Sequence, residues 1–354
     1  MKWSNLKIAG GVAACLAFML SASTQAQAAH EANPFASAPV LTLTPTRPTA
    51  SNTATSANAT ASIAESTALA QDPIYACACG CGMFEVGTAS MLPRGQGGMV
   101  WLEYDYQDQK QNRHATSPAP ASDNQDTDIR TDFFEFGFEY FFDRKWGLEV
   151  EVPVDHRHFV SGGDTADWTA IGDARVHGLY TGFSEDQSLG VDFGFKLPTG
   201  NWTHPGPDRD TEIGTGSTDI LLGGFYRRNL TADANWTFFT QVEADEPVIT
   251  QAQYRPGFEL DASAGIYYSG FHVHGVTISP IGQILASYRT PDTGANSADP
   301  IASGYERLLL SPGVEFDFHP FSVYADVELP VFTDYRGDQL AAASAFKLIL
   351  SYHF

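Results

Sequence analysis

The side chains best placed for chemistry are three thiols at alternate positions, Cys77, Cys79 and Cys81, in the stretch YACACGCGMF. Alternate residues of an extended chain share a face, so all three sulfurs would point one way, and Gly80 allows a tighter wrap. Thiolates so spaced hold a soft ion such as Cu(I), or Zn with a ligand from elsewhere. In an oxidising compartment the same spacing gives one Cys-x-Cys disulfide and a thiol left over. The stretch has neither the Cys-x-x-Cys-His of covalent haem nor a second thiol pair for a four-cysteine zinc site. A metal or redox site and a structural disulfide or plug anchor therefore both stand open. Carboxylates recur at even spacing too, as in Glu149 and Glu151 or Glu135 and Glu139. Histidines pair in the same way, His156 with His158 and His272 with His274.

The elements that must position these groups begin with a leader. Lys2 and Lys7 precede a short apolar core, and Ala26–Ala28 supplies an A-x-A cleavage site, so residues 1–28 read as a secretory signal peptide. Its removal takes two lysines and no acid, moving the net charge from -22 to -24. Such an acidic chain is no partner for nucleic acid, which needs a basic face. Residues 29–72, rich in Ala, Ser, Thr and Pro, read as a disordered periplasmic tether. Residues 73–96 carry the cysteines, as a plug or a metal or redox segment, and 97–354 form the folded body.

From Gly97 onward apolar and polar residues alternate with period two. RTDFFEFGFEYFFD puts Phe134, Phe136 and Phe138 on one face and Glu135 and Glu139 on the other. Twelve strands are expected, near 97–107, 130–143, 146–155, 168–183, 187–198, 216–229, 234–245, 256–268, 272–289, 304–317, 320–333 and 341–354. Every second connection is tiny (DRK, SEDQ, LTADA, YSGF, FHP); the others, 108–129, 156–167, 199–215, 246–255, 290–303 and 334–340, are long and polar. That layout predicts an all-β fold: a transmembrane antiparallel up-and-down β-barrel with short periplasmic turns and long extracellular loops. No stretch is long and apolar enough for a spanning helix. A bilayer demands full backbone pairing within the protein, so the sheet must close. The greasy face then meets the lipid and lipopolysaccharide of a Gram-negative outer membrane. On this topology His156 and His158 lie at one rim and His272 and His274 at the other.

Three consecutive segments, AIGDARVHGLYTGF, SLGVDFGFKLPTGNW and IGTGSTDILLGGFYRRNL, resemble the meta-pathway phenol-degradation (MetA-like) family of outer-membrane transporter-like barrels. The shared pattern is a Gly-Asp strand start, a strand ending Leu-Pro-Thr-Gly, and Gly-Thr-Gly-Ser-x-Asp opening the next. The resemblance implies a barrel that helps hydrophobic or aromatic compounds across the outer membrane. A last strand with Phe346, Leu348, Leu350, Tyr352 and a terminal Phe354 on one face also resembles the signal that such barrels present to their assembly machinery.

If the alternation holds, the inner wall carries Glu103, Asp105, Glu135, Glu139, Glu149, Glu151, Asp173, Asp192, Asp219, Glu243, Glu315, Asp317, Asp326 and Glu328, against Arg175, Lys196, Arg227 and Lys347, with His177 and His353. An acid-lined pore draws cations and rejects anions; the alternative to a pore is a plugged lumen, since twelve strands enclose a modest interior that side chains can fill as a hydrogen-bonded, salt-bridged core. The expectation is a channel or transporter for small or hydrophobic solutes, with no catalytic residues and no required cofactor. The alternative is a metal-binding or redox-sensing barrel built on the cysteines, with Cu or Zn. An outer-membrane enzyme would need a motif that the sequence does not supply.

Overall fold

The computed structural model describes residues 97–204, 209–297 and 302–354. The expected signal peptide, tether and cysteine segment, with Cys77, Cys79 and Cys81, lie outside the described residues. All of the described residues belong to one unit, Ile74–Phe354.

That unit is a single antiparallel sheet. Its strands are β1 (Gly97–Ala115), β2 (Ser117–Pro118), β3 (Asp128–Phe141), β4 (Trp146–Ser161), β5 (Asp164–Ile171), β6 (Ala174–Tyr180), β7 (Leu189–Leu197), β8 (Thr218–Asn229), β9 (Trp236–Ile249), β10 (Glu259–Tyr268), β11 (Phe271–Val273), β12 (Val276–Arg289), β13 (Tyr305–Phe318) and β14 (Phe321–His353). Neighbours run β10-β9-β8-β7-β6-β4-β3-β1-β14-β13-β12, and β12 pairs back on β10, so eleven strands close a ring and β2, β5 and β11 extend it. β14 folds back at Gly337 (φ 79°): Phe321–Tyr335 pairs with β13 and Asp338–His353 with β1, so the wall has twelve staves. The seam between β1 and β14 is bonded to its last residue, with Phe354 N donating to Gly98 O at 2.9 Å and Gly98 N to Phe354 O at 2.8 Å.

Alternation sets which side faces out. On β4 the outward row is Leu148, Val150, Val152 and Val154; on the returning half of β14 it is Phe346, Leu348, Leu350 and Tyr352. At the short-turn end the outward aromatics form a girdle of the kind that seats barrels at a membrane interface. Within it Phe354 lies beside Tyr140 (6.4 Å, stacked) and Tyr352 (6.2 Å), and Trp146 beside Tyr180 (4.7 Å). The turns there are stapled locally. Asp143 Oδ1 accepts from the backbone N–H of Lys145 (2.7 Å) and Trp146 (2.9 Å), which holds its carboxyl below the usual range.

Several expected loops are largely strand. β4 runs on to Ser161 and turns at Gly162 and Gly163 (φ 57° and 97°) into β5, so 156–167 is a hairpin standing above the ring. Two glycines at positive φ suit such a tight turn. β1 continues to Ala115, and a 3-10 turn (Ala121–Asn124) occupies part of 108–129. At the other end the reversal lies at His274 and Gly275, between β11 and β12, and not at YSGF.

Candidate functional site

The lumen is layered. Near the short-turn end a layer of apolar side chains packs across it: Met99, Trp101, Phe225, Phe239, Tyr267, Ile281, Tyr324 and Ile349 form one buried cluster. Trp101 lies flat on β3 at Gly137, where a Cβ would stand 1.8 Å from the indole Cε2. Glycine is required in mid-strand because the ring takes the space of a side chain. Below this layer opens a vestibule of about 480 Å³, lined by Arg144, Glu185, Arg227, Glu315 and Asp317 among others. Arg227 donates there to the carbonyl of Asp186 at 3.1 Å.

Above the apolar layer lies a charged one. Against the seam, Lys347 Nζ meets Glu103 Oε1 at 2.6 Å, with Asp105 at 4.0 Å. Beside it Asp326 Oδ2 accepts from Ser311 Oγ (2.5 Å), Tyr324 OH (2.7 Å) and Gln283 Nε2 (3.2 Å). Glu328 is buried in the same wall, whereas buried Glu139 on β3 is the register partner of Glu149 on β4. On the opposite wall Lys196 Nζ bridges Asp219 (2.5 Å) and Asp245 (2.6 Å), and Arg175 reaches Glu243 (3.3 Å) and Asp245 (3.8 Å). His177 stands among Glu151, Asp192 and Glu243 at 3.8 to 3.9 Å. Glu149 is its register partner on β4. Glu135 lines the cavity above, with Arg175, Lys196 and Asp245.

The loop between β7 and β8 roofs this cavity of about 140 Å³, with Arg209, Glu212, Ile213, Gly214 and Thr215 in its lining. Asp173, at the break between β5 and β6, ties the loop down: its carboxylate accepts from Gly200 N (2.9 Å), Thr215 N (2.7 Å) and Thr215 Oγ1 (2.5 Å). The Gly-Asp, Leu-Pro-Thr-Gly and Gly-Thr-Gly-Ser segments thus meet in one knot. Gly200 and Gly214 approach so closely that a Cβ on Gly200 would lie 2.7 Å from Gly214 Cα. Arg209 sits between the rings of Trp202 and Tyr254, 4.8 Å from each. Arg157 donates to Thr211 O and, at 3.3 Å, to Glu212 O. Burial pushes the Glu212 carboxyl up to about 7, against the pull of the His204 backbone and of Arg209 and Arg157.

The seam group, the His177 group and the vestibule residues form three separate clusters, and Asp173 serves the loop instead. His156 and His158 lie on the outward face of the β4–β5 hairpin beside Asp167 (His158 Nδ1 to Oδ2, 3.1 Å), at the opposite end of the strands from the β11–β12 hairpin of His272 and His274. Sequence reasoning missed the apolar layer, Asp245 and the roof loop. The apolar layer had a signal, namely runs such as Met99–Leu102 and Phe238–Phe239 that are greasy on both faces. Asp245 continues the Glu243 row just where the strand was expected to stop.

No protein-family model matches the chain, and no curated protein matches it. Solved structures do. The COG4313 outer membrane channel from Pseudomonas putida F1 is 13% identical, with a TM-score of 0.57 over 76% of this chain and 100% of that one. The beta domain of the Bordetella autotransporter BrkA is 14% identical over 73% and 100%, with a TM-score of 0.46. The toluene transporter TodX of P. putida is 10% identical over 73% and 89%, with a TM-score of 0.37. At these identities the first likeness establishes the fold, that of an outer-membrane β-barrel.

Proposed function

We propose that the chain is an outer-membrane channel whose lumen passes small neutral or cationic solutes, hydrophobic ones included, and turns anions away. The observation that carries this reading is the imbalance of the inner wall. Six bases, Lys347, Lys196, Arg175, Arg157, Arg289 and Arg307, face more than twice as many acids, Glu103, Asp105, Glu139, Glu149, Glu151, Asp155, Asp192, Asp219, Glu243, Asp245, Asp261, Asp292, Asp326 and Glu328, inside a cylinder sheathed in apolar residues. Low-dielectric walls focus that negative field along the axis. The apolar layer supports the hydrophobic part of the reading, since a greasy solute can be exchanged for the side chains that part around it. A channel of this shape fits the aromatic compounds implied by the meta-pathway resemblance, and an outer membrane bearing lipopolysaccharide as its surroundings. Phe354 and the outward row behind it would be read by the assembly machinery. In planar bilayers under a KCl gradient, the reversal potential is expected on the cation-selective side. In liposomes, neutral and cationic solutes should cause swelling that benzoate does not. Anion selectivity would overturn the proposal.

A further inference from the structure

We propose that the lumen binds a transition-metal divalent cation on Glu149, Glu151 and the Nε2 of His177. The proposal is independent of conduction and of the cysteine segment. Glu149 and Glu151 alternate on the inward face of β4, and His177 on β6 is the direct register partner of Glu149. One ligand atom from each of the three lies within 4.8 Å of the others. A tetrahedral ion with bonds of 2.0–2.1 Å needs ligand atoms about 3.4 Å apart, so small side-chain rotations close the set.

The imidazole is the independent pointer to a ligand. His177 is 2% exposed, and its Nε2 has no hydrogen-bond partner; the nearest carboxylate oxygen, Glu151 Oε2, lies 3.8 Å away. Buried ring nitrogens are normally satisfied. The other nitrogen, Nδ1, faces Asp192 Oδ2 (3.8 Å) and Glu243 Oε2 (3.9 Å). A small rotation of Asp192, whose Oδ2 has no hydrogen-bond partner, would seat its carboxylate on an Nδ1 proton and leave the Nε2 lone pair facing Glu149 and Glu151. A carboxylate so seated fixes the tautomer and strengthens the ring as a ligand. The fold makes room for it. Gly223 on β8 is the register partner of both Asp192 and Glu243, and a Cβ there would stand 2.4 Å from Asp192 Oδ2. Arg175, the register partner of Glu151, reaches Glu243 at 3.3 Å and Asp245 at 3.8 Å, so the ion would share Glu151 with its guanidinium. One nitrogen with two carboxylates selects Zn²⁺, Co²⁺ or Ni²⁺ over Mg²⁺ and Ca²⁺, which prefer oxygen alone.

The test uses the full chain with Cys77→Ser, Cys79→Ser and Cys81→Ser, checked for heat-modifiable migration, so that the thiols cannot supply the metal. Zn²⁺ titration calorimetry and the visible spectrum of added Co²⁺ are the readouts. One ion per chain is expected, not displaced by excess Mg²⁺. It should be lost in His177→Gln and in Glu149→Gln/Glu151→Gln, and weakened by about tenfold or more in Asp192→Asn. Should His177→Gln fail to migrate as a folded barrel, the carboxamide variants and Asp192→Asn carry the comparison. No Co²⁺ bound by the folded parent, displacement by Mg²⁺, or undiminished binding in the folded variants would each overturn the proposal.

Discussion

Replacing Trp101 by alanine should loosen the barrel and open it at once. Trp101 is 4% exposed, within the apolar layer that crosses the lumen. Truncating a buried tryptophan to alanine costs about 3–5 kcal/mol, readable as a lower denaturant midpoint on refolding into lipid vesicles. The partner position gives an internal control. A methyl group on Gly137 would stand 1.8 Å from the indole, whereas carbon atoms rest about 3.5–4.0 Å apart. In Gly137→Ala the ring must therefore move by roughly 2 Å, at the overpacking cost of about 1–3 kcal/mol. With the indole gone that cost should vanish, so the double variant shows a coupling of about the same size. Single-channel conductance in planar bilayers should rise in Trp101→Ala. The reasoning fails if Gly137→Ala costs the same in both backgrounds, or if conductance through Trp101→Ala equals that of the parent.

Three other outcomes are expected. Lys347→Met strands the buried Glu103 carboxylate, now 2.6 Å from the ammonium, and should destabilise the barrel by about 3–5 kcal/mol, while adding Glu103→Gln recovers part of the loss in the same refolding assay. The Glu212 carboxyl, raised to about 7 by burial, favours the fold when protonated. Its penalty is absent below the ordinary glutamate range, grows up to about pH 7 and is constant above it, so the rate of tryptic cleavage after Arg209, taken as parent over Glu212→Gln, should climb toward about pH 7 and then level off; a flat ratio below about pH 7 contradicts this. Deleting Phe354, which bonds to Gly98 and stacks on Tyr140, should lower the amount of heat-modifiable barrel recovered from outer membranes, and normal abundance would exclude an assembly role.

The wall was legible because lipid imposes a strict rule on it. Phe134, Phe136 and Phe138 can face hydrocarbon only if Glu135, Gly137 and Glu139 face inward. Where the strands rise beyond the lipid that rule lapses. His156 and His158 replace valines on the outward row of β4, and the alternation fades although pairing with β5 continues. The lumen was legible as a set of charges but not as clusters. That Glu149 lies opposite His177 depends on register across the β4–β6 hairpin, and that Asp192 and Glu243 reach the same ring depends on the bare Gly223 between them. The apolar layer was hidden by its own wall, since Trp101 beside Leu102 reads as a lapse in alternation instead of a ring laid over a glycine.

Every part of that layer is rooted in a strand of the ring. Nothing has to leave for the passage to clear: rotation about side-chain torsions suffices, and no ladder hydrogen bond need break. Among the described residues, such a constriction is made without a detachable stopper. It would admit a guest in proportion to how well the guest's own flat, oily surface stands in for the rings it pushes aside.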